Sequence, residues 1–157
     1  MYTIEHPDQG MIDEVFAFLI QCDLADFGEP DTSREDLEQE WGEFDLSRDV
    51  WIARNSLGEI IGYAFVSDVS EGCHVDVYID PSRSPLGLEN ELAGLCIQRA
   101  AEKTAGHTYP AGPFLIGYAT ATHKRLQEMF ERTGFARHTY HYRMQIDLST
   151  LVEPVHW

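Results

Sequence analysis

Basic side chains are scarce in this sequence. Its 157 residues include 11 lysines and arginines against 27 aspartates and glutamates, which gives a formal net charge of −16 at pH 7. A surface that binds nucleic acid or an anionic membrane needs cationic patches, so the composition argues against both kinds of partner. An acidic surface would instead attract a cationic amine.

Paired cysteines and long apolar segments are also missing. The three cysteines, Cys22, Cys73 and Cys96, are odd in number and lack C-x-x-C spacing. Cys73 and Cys96 are interpreted as small core residues rather than nucleophiles, because free cysteine usually behaves as a buried hydrophobe. No signal-like segment follows Met1 and no apolar run is long enough to cross a membrane. We therefore expect a protein of the reduced cytoplasm.

The chain has the length and composition of one folded domain. Hydrophobic residues make up 43% of the sequence and aromatic residues 11%, which is typical of globular proteins, and 157 residues can bury an ordinary core. We expect a single domain over residues 1–157, in which residues 149–157 form a linker or tail.

Hydrophobic periodicity predicts alternating strands and helices. The expected strands cover residues 1–6, 50–54, 60–66, 73–80, 114–119 and 135–148. Helices are expected to begin at Asp8, at a capping box that starts with Thr32, at Leu88 and at Thr122, and Gly134 is expected to end the last one. The three strands between residues 50 and 80 are predicted to form an antiparallel meander.

Residues 73–104 are the centre of this arrangement. The strand is stopped by Pro81, whose missing N–H cannot extend a ladder, and a short turn leads to a helix with apolar residues at helical spacing. The free N–H groups at the start of this helix open toward the end of the strand. Such a helix start can hold an anionic phosphate group, because the unpaired donors and the helix dipole act together.

Two motifs of the chain resemble the GNAT superfamily of acyl-CoA N-acyltransferases. Residues 79–81 (IDP) match the family's strand end, and residues 84–89 (SPLGLE) fall on its phosphate loop, Q/R-x-x-G-x-G/A, with Gly87 in common. Residues 123–135 (HKRLQEMFERTGF) are similar to the family's late helix, N-x-x-A-x-x-L-Y-x-x-x-G-F, with His123 at the usual Asn and Phe130 at the usual Tyr. The order of elements agrees over nearly the whole chain.

The resemblance implies a mixed α/β (α+β) fold in which helices flank a central, mainly antiparallel sheet that splays between the strands at His74 and Phe114. It also implies direct transfer of an acetyl or other acyl group from acetyl-CoA (coenzyme A) to an amine of a small molecule or peptide. The residues at the family's cofactor-binding positions are Val77, Tyr78, Ile79, Ser84, Leu86, Gly87, Leu88, Glu89, Asn90, His123 and Phe130.

Acyl transfer to an amine needs a base for the amine proton and a proton for the leaving sulfur. Asp76 and His74 project to one side of their strand, with Tyr78 next along it, so either can take the amine proton. Alternatively, these side chains form a polar face without catalytic function. His123 is a candidate acid in place of Phe130, whose ring has no proton to donate, or a hydrogen-bond partner of pantetheine; it can also be an ordinary surface histidine.

The phosphate loop allows two interpretations. Pro85 removes an N–H, and Glu89 places a charge where the family has a small residue. Glu89 either belongs to the cofactor site or complements the helix dipole in place of a phosphate. Arg83, Lys124 and Arg125 lie close by as cations that can meet a phosphate. The rival to catalysis is therefore a GNAT-fold module that only binds or interacts.

The remaining expectations concern partners and ligands. The acidic residues at 23–32 are candidates for holding a substrate cation, or they form a solvated face. His138 and His141 fall on opposite faces of a strand, and we predict no metal. Tandem members of the family carry a degenerate first copy followed by a proline-rich linker, so this chain is either such a half or a free-standing relative. A second copy, as a homodimer, or a second GNAT domain is the expected protein partner.

Overall fold

The structure is a computed structural model that describes residues 1–110 and 112–142. Its strands are β1 (Tyr2–Glu5), β2 (Val50–Asn55), β3 (Ile60–Val69), β4 (Gly72–Ile79) and β5 (Phe114–Gly117). Its helices are α1 (Ile12–Phe27), which follows a 3₁₀ turn at Gln9–Met11, α2 (Arg34–Glu43), α3 (Leu46–Asp49), α4 (Leu88–Thr104) and α5 (Lys124–Arg132). In these described residues no helix is long and apolar enough to cross a bilayer.

The five strands form one sheet in the order β1-β2-β3-β4-β5. The first three pairings are antiparallel, while β4 and β5 are parallel. The predicted meander of β2, β3 and β4 is confirmed, and so is the mixed α/β fold with a mainly antiparallel sheet flanked by helices. Short connections join β2 to β3 and β3 to β4, whereas α1, α2 and α3 lie between β1 and β2, and the parallel pair requires the α4 crossover.

Each face of the sheet carries its own hydrophobic core, because successive side chains of a strand point to opposite faces. Toward α4 and α5, β4 presents Cys73, Val75, Val77 and Ile79, which pack with Leu88, Leu92, Cys96 and Met129. Toward α1 and α2, β4 presents His74, Asp76 and Tyr78, beside a core that contains Trp41, Tyr63 and Phe65. Cys73 and Cys96 are core residues, as predicted.

Strands β4 and β5 pair over only four positions, from Gly72 opposite Phe114 to Val75 opposite Gly117. Gly72 permits this close approach, because a Cβ at this position would lie 1.9 Å from the carbonyl oxygen of Phe114. Beyond Val75 the strands part. In the described part of the chain, no strand pairs with the last four residues of β4 on this side.

Two helix starts differ from the prediction by one residue. Ser33, not Thr32, caps α2, since its Oγ accepts the backbone N–H of Asp36 at 3.0 Å. His123, not Thr122, caps α5, and its Nδ1 accepts the N–H of Leu126 at 3.4 Å. The Thr122 hydroxyl is engaged elsewhere, within 3.2 Å of the Thr120 hydroxyl and 3.5 Å of the Asp26 carbonyl oxygen.

The strand predicted at residues 135–148 is not formed in its described part, residues 135–142. Gly134 follows the end of α5 with φ 98°, as predicted, and the N–H of Phe135 then bonds to the carbonyl oxygen of Phe130. Arg137 pairs with Glu131 at 2.6 Å. These contacts hold the segment against α5 rather than against the sheet. Residues 143–148 and the predicted linker at 149–157 lie outside the described residues.

Candidate active site

A cavity of about 420 Å³ opens where β4 and β5 part. Its walls come from the end of α1, the loop before α2, the end of β4 and the residues after β5. The side chains relevant to chemistry are Cys22, Asp26, Asp31, Asp76, Tyr78 and Tyr118. Sites for small ligands are typically concave and of this size.

Asp76 lies on β4 at this cavity with only 17% of its side chain exposed. Its Oδ2 accepts the Tyr78 hydroxyl at 3.0 Å, and its Oδ1 accepts the N–H of Val77 at 3.1 Å. Burial raises the pKa of Asp76 to about 7, although both hydrogen bonds act in the opposite direction. The carboxyl group is therefore close to half ionised at neutral pH, which suits a general base.

Two neighbours define the surroundings of this carboxyl group. His74 Nε2 lies 3.9 Å from Asp76 Oδ2, and burial lowers the pKa of His74, which favours the neutral ring. Nε2 has no hydrogen-bond partner among the described residues. Burial and the Asp76 charge raise the pKa of Tyr78 well above its ordinary value, so this hydroxyl stays protonated and continues to donate.

The acidic segment of residues 23–32 contributes two kinds of carboxylate. Asp23 is buried, and its Oδ2 accepts the backbone N–H groups of Asp31 and Thr32 at 2.8 and 2.7 Å. This carboxylate therefore holds the loop between α1 and α2. Asp26 and Asp31 line the cavity itself. In the described residues no group of three or more His, Cys, Asp or Glu side chains is arranged to hold a metal.

Cys22 also lines the cavity, but its sulfur is not a nucleophile at neutral pH. Burial raises the pKa of the Cys22 thiol to about 12, and the nearby Asp80 carboxylate acts in the same direction. The Sγ lies 3.8 Å from the carbonyl oxygen of Ile79. The thiol therefore remains protonated against the end of β4.

The turn that follows β4 is fixed by Asp80. Its carboxylate accepts the N–H groups of Ser82 and Arg83 and the Arg83 guanidinium. Burial acts to raise the pKa of Asp80, but the hydrogen bond from the Ser82 hydroxyl, at 2.6 Å, and these bonds lower it below the ordinary value. The Ser84 hydroxyl donates to the carbonyl oxygen of Ile61 on β3. Residues 84–87 therefore leave the sheet in a fixed direction before α4 begins at Leu88.

The start of α4 is occupied by the carboxylate of Glu89, which is only 3% exposed. Its Oε2 lies 2.6 Å from Arg125 Nη2 and accepts the N–H of Gly87 at 3.3 Å. Arg125 also donates to the carbonyl oxygens of Ser84 and Pro85, at 3.2 and 2.9 Å. An internal ion pair thus closes the segment that the sequence matched to the phosphate loop.

The unpaired edge of β4 and residues 84–89 differ in how well they fit acetyl-CoA. The unpaired edge of β4 can accept an extended arm with peptide-like groups, such as pantetheine, in the way that a sheet edge accepts a strand. Residues 84–89 do not fit the pyrophosphate: Pro85 has no N–H, Gly87 donates to Glu89, and Leu88 donates to the Pro85 carbonyl oxygen at 3.4 Å.

The other predicted site residues are dispersed. Val77 lines the cavity and packs toward α4 together with Ile79 and Leu88, all three being buried. Leu86 is 87% exposed, and the N–H of Asn90 bonds to the carbonyl oxygen of Gly87 within the first turn of α4. The structure therefore brings together His74, Asp76 and Tyr78, and of these five residues it places Val77 at the same cavity but not Ile79, Leu86, Leu88 and Asn90.

His123 and Phe130 both lie away from the 420 Å³ cavity. His123 is buried as the cap of α5, and its Nε2 has no partner in the described part of the chain. The Phe130 ring packs against Gly117, where a Cβ would be 2.5 Å from Cε1, and its centroid lies 4.9 Å from that of Phe135. The ring therefore forms part of the core beneath β5.

Sequence reasoning assigned no role to Tyr118 and considered Arg125 only as a partner of phosphate. Tyr118 lies directly after β5, where it lines the cavity, and its ring centroid is 5.3 Å from that of His74. The position of the Tyr118 ring depends on the residue at which β5 parts from β4, and no pattern in the sequence shows that residue. The opposite charges of Arg125 and Glu89 are visible in the sequence, but the two residues are 36 positions apart and no local pattern shows their contact.

No family model and no curated protein matches the sequence. Several solved structures match the fold. A GCN5-related N-acetyltransferase from Sphaerobacter thermophilus has a TM-score of 0.73 and 22% identity over 86% of this chain, which spans only 43% of that protein.

Two further structures match over most of both chains. A GNAT-family acetyltransferase from Streptococcus pneumoniae has a TM-score of 0.67 and 14% identity over 88% of this chain and 87% of its own. A GNAT superfamily phosphinothricin acetyltransferase from Sinorhizobium meliloti, solved in complex with acetyl-CoA, has a TM-score of 0.63 and 14% identity, over 85% and 74%. The chain therefore has the fold of the GNAT acetyltransferases.

Proposed function

We propose that this chain transfers an acetyl or other acyl group from acetyl-CoA directly to an amine, and that the acceptor binds in the cavity between β4 and β5. The observation that carries the proposal is Asp76, a nearly buried carboxyl group with a pKa of about 7 at the point where the two strands part. The fold supports the same activity, although fold alone does not establish function.

The residues of the cavity have distinct roles in this proposal. Asp76 accepts a proton as the amine nitrogen bonds to the thioester carbonyl carbon, and the Tyr78 hydroxyl fixes the carboxylate. His74 lies beside this pair as a neutral ring and a second candidate base. When the carbon–sulfur bond breaks, the sulfur takes a proton from water or from a cavity hydroxyl such as that of Tyr118, since Phe130 has none to donate.

The acceptor is proposed to be a cationic amine of a small molecule or peptide. The chain carries a formal net charge of −16, and Asp26 and Asp31 line the cavity beside Asp76. Such a field raises the local concentration of cations and lowers that of anions. A polyamine or a lysine-containing peptide is expected to react faster than a neutral or anionic amine of the same size.

A thiol-release assay tests this function. The full chain is incubated at millimolar acetyl-CoA with a panel of cationic, neutral and anionic primary amines, and the product masses are measured. We expect release of one thiol for each acetylated amine, fastest with the cationic compounds. N-acetylated forms of the same amines are the matched controls and should release no thiol. Absence of amine-dependent release with every member of the panel would contradict the proposal.

A binding module without catalysis is the second candidate, and the Glu89–Arg125 pair is the observation that favours it, because it closes the segment that would hold a cofactor phosphate. Calorimetry separates the two functions. A module would bind a cationic amine with the same affinity in the presence and absence of a thioester and would never release thiol.

Organisation and location are further proposals. We propose one domain over residues 1–157, located in the cytoplasm, that works with a second copy or a second domain of the same fold. The tandem arrangement draws support from the Sphaerobacter thermophilus protein, of which this chain spans 43%. Size-exclusion chromatography with light scattering on the full chain distinguishes a homodimer from a monomer.

A further inference from the structure

An anion already lies at the start of α4, and it belongs to the chain itself. The Glu89 carboxylate accepts the N–H of Gly87 and the Arg125 guanidinium through Oε2, and its Oε1 lies 3.8 Å from Arg132 Nη2. One backbone N–H at a helix start together with guanidinium groups is the donor set that a bound phosphate would use. The carboxylate therefore takes the place of a phosphate in both position and charge.

Arg125 makes this arrangement hard to displace. Besides Glu89, it binds the carbonyl oxygens of Ser84 and Pro85, so one side chain of α5 holds both the carboxylate and the loop in front of it. An incoming phosphate would have to share Arg125 with a carboxylate that is only 3% exposed. Two anions in a poorly solvated site repel each other, and the repulsion is little screened by salt.

The cavity beside the end of β4 differs from the start of α4, because among the described residues no ion pair like Glu89–Arg125 closes it. The last four residues of β4 lack a partner strand on the side of β5 among the described residues, and the cavity of about 420 Å³ begins there. An acyl group and an amide-containing arm can be bound at this edge without any contact with residues 84–89.

We propose that Glu89 is an internal substitute for a phosphate and that it sets the donor specificity of the chain: the acyl donor is recognised through its thioester and pantetheine arm and not through its pyrophosphate. The inference rests on the proposed acyl transfer and narrows its donor class. Short thioesters such as S-acetylpantetheine are then donors as good as acetyl-CoA, and the nucleotide half contributes no affinity.

The first arm of the test uses the unmodified chain. The kcat/KM for acetyl-CoA and for S-acetylpantetheine should agree within about threefold, because groups that make no favourable contact add no affinity. Calorimetry should detect no binding of inorganic pyrophosphate at millimolar concentration. A preference for acetyl-CoA greater than about tenfold, or tight binding of pyrophosphate, would overturn the inference.

The second arm uses Glu89→Gln, which keeps the size of the side chain and an oxygen that can accept from Gly87 and Arg125 but removes the charge. We expect pyrophosphate and coenzyme A to bind at least about tenfold more tightly than to the unmodified chain, as charge-assisted contacts to Arg125 become available. The ratio of kcat/KM for acetyl-CoA to that for S-acetylpantetheine should rise by the same factor.

Glu91→Gln is the matched control, since Glu91 is an exposed carboxylate on the same turn of α4 that accepts the Tyr2 hydroxyl instead of Arg125. It should leave both readouts within about twofold, because an exposed charge is largely screened. Equal gains in Glu89→Gln and Glu91→Gln would show a general charge effect and overturn the inference. Thermal unfolding verifies that Glu89→Gln folds; if it does not, the donor comparison with the unmodified chain decides.

The two proposals fail in different ways. If no thioester acylates any amine, the proposed acyl transfer is wrong and the inferred donor specificity falls with it. If thioesters are used but acetyl-CoA is strongly preferred, acyl transfer stands and the role assigned to Glu89 is wrong. The pyrophosphate titration requires no turnover and tests the phosphate substitution independently of activity.

Discussion

Asp76 and Glu89 carry two carboxyl groups in opposite environments, although they are only 13 positions apart in the sequence. Asp76 borders the open cavity with a hydroxyl and an N–H as hydrogen-bond partners, and burial raises its pKa to about 7. Glu89 is paired with Arg125 at 2.6 Å and lies close to Arg132. The first is a group that can exchange a proton at neutral pH, whereas the second is held in an ion pair inside the chain.

The comparison shows that two parts of the chain expected to bind acetyl-CoA differ: the cavity beside the end of β4 is open, and the segment of residues 84–89 is closed. At the cavity, the end of β4 is left unpaired among the described residues, and polar groups converge there. At residues 84–89, the N–H groups of Ser84, Gly87 and Leu88 and the carbonyl oxygens of Ser84, Pro85 and Gly87 have partners within the chain. Because function resides in the site rather than in the fold, the two halves have to be tested separately.

Asp76→Asn gives the largest expected effect and tests the proposed general base at the cavity. The amide cannot accept a proton, so kcat for acyl transfer should fall by about 100-fold to 10,000-fold, the usual contribution of a general base. In the unmodified chain kcat/KM should rise with pH up to about pH 7, where the carboxyl group becomes ionised, and this rise should be absent in the variant.

Asp68→Asn is the matched control, because its carboxylate is 72% exposed and pairs with Lys103 away from the cavity. It should leave the pH–rate profile unchanged. A kcat of Asp76→Asn within twofold of the unmodified value would exclude Asp76 as the base and move attention to His74.

The same substitution should change how stability depends on pH. The pKa of Asp76 is raised from 3.8 to about 7 on folding, so between these pH values the folded protein holds a proton that the unfolded chain releases. The contribution of this group to stability is therefore present below pH 4 and is lost as pH rises to 7. The free energy of unfolding of Asp76→Asn, measured relative to that of the unmodified chain, should therefore increase by up to about 4 kcal/mol between pH 4 and pH 8.

Urea unfolding at pH 4 and pH 8 measures this difference. The two proteins should have similar free energies of unfolding at pH 4 and diverge at pH 8. A constant difference across this range would show that Asp76 is not protonated in the folded state, and the argument for a neutral-pH base would fail with it.

Phe130→Tyr tests whether the usual tyrosine can be restored. Phe130 is buried, and its Cε1 and Cζ lie 2.5 and 2.6 Å from the position of a Cβ at Gly117, so a hydroxyl on Cζ has to be accommodated next to the backbone of β5. We expect a loss of about 1 to 3 kcal/mol in unfolding free energy, as for other overpacked cores, and no gain in kcat. A stable variant with faster turnover would show that the hydroxyl reaches the leaving sulfur.

Gly87→Ala gives the smallest expected effect and tests the backbone conformation in the segment of residues 84–89. Gly87 has φ 98°, but a Cβ there meets no atom within 4 Å, so the cost is only the strain of a left-handed backbone, about 1 kcal/mol. Gly94→Ala is the matched control inside α4, where Cβ also meets nothing, and it should stabilise by up to about 1 kcal/mol. Equal effects of both substitutions on the Tm would contradict the assigned conformation of Gly87.

Local patterns in the sequence were sufficient for most of the fold. Alternation along residues 73–79, the stop at Pro81 and the helical spacing from Leu88 predicted β4, its end and α4, because each depends on residues within a few positions of one another. The caps of α2 and α5 were predicted within one residue, whereas α3 was not predicted. The strand expected at residues 135–148 is not formed in its described part, residues 135–142, where Phe135 and Arg137 contact α5 and alternation does not show these contacts.

The sequence by itself determined the order of most strands and helices, the acidic character of the chain and the common orientation of His74, Asp76 and Tyr78, because these follow from composition and short-range periodicity. The layered α/β fold was implied by the resemblance that two motifs of the sequence carry. The resemblance implied a splay between β4 and β5, but only the tertiary structure decided that β5 leaves β4 after Val75, that the Asp76 side chain is only 17% exposed, and that Arg125 of α5 meets Glu89 of α4. Burial and charge pairing depend on which distant segments come together, and no periodicity within a single segment contains that information.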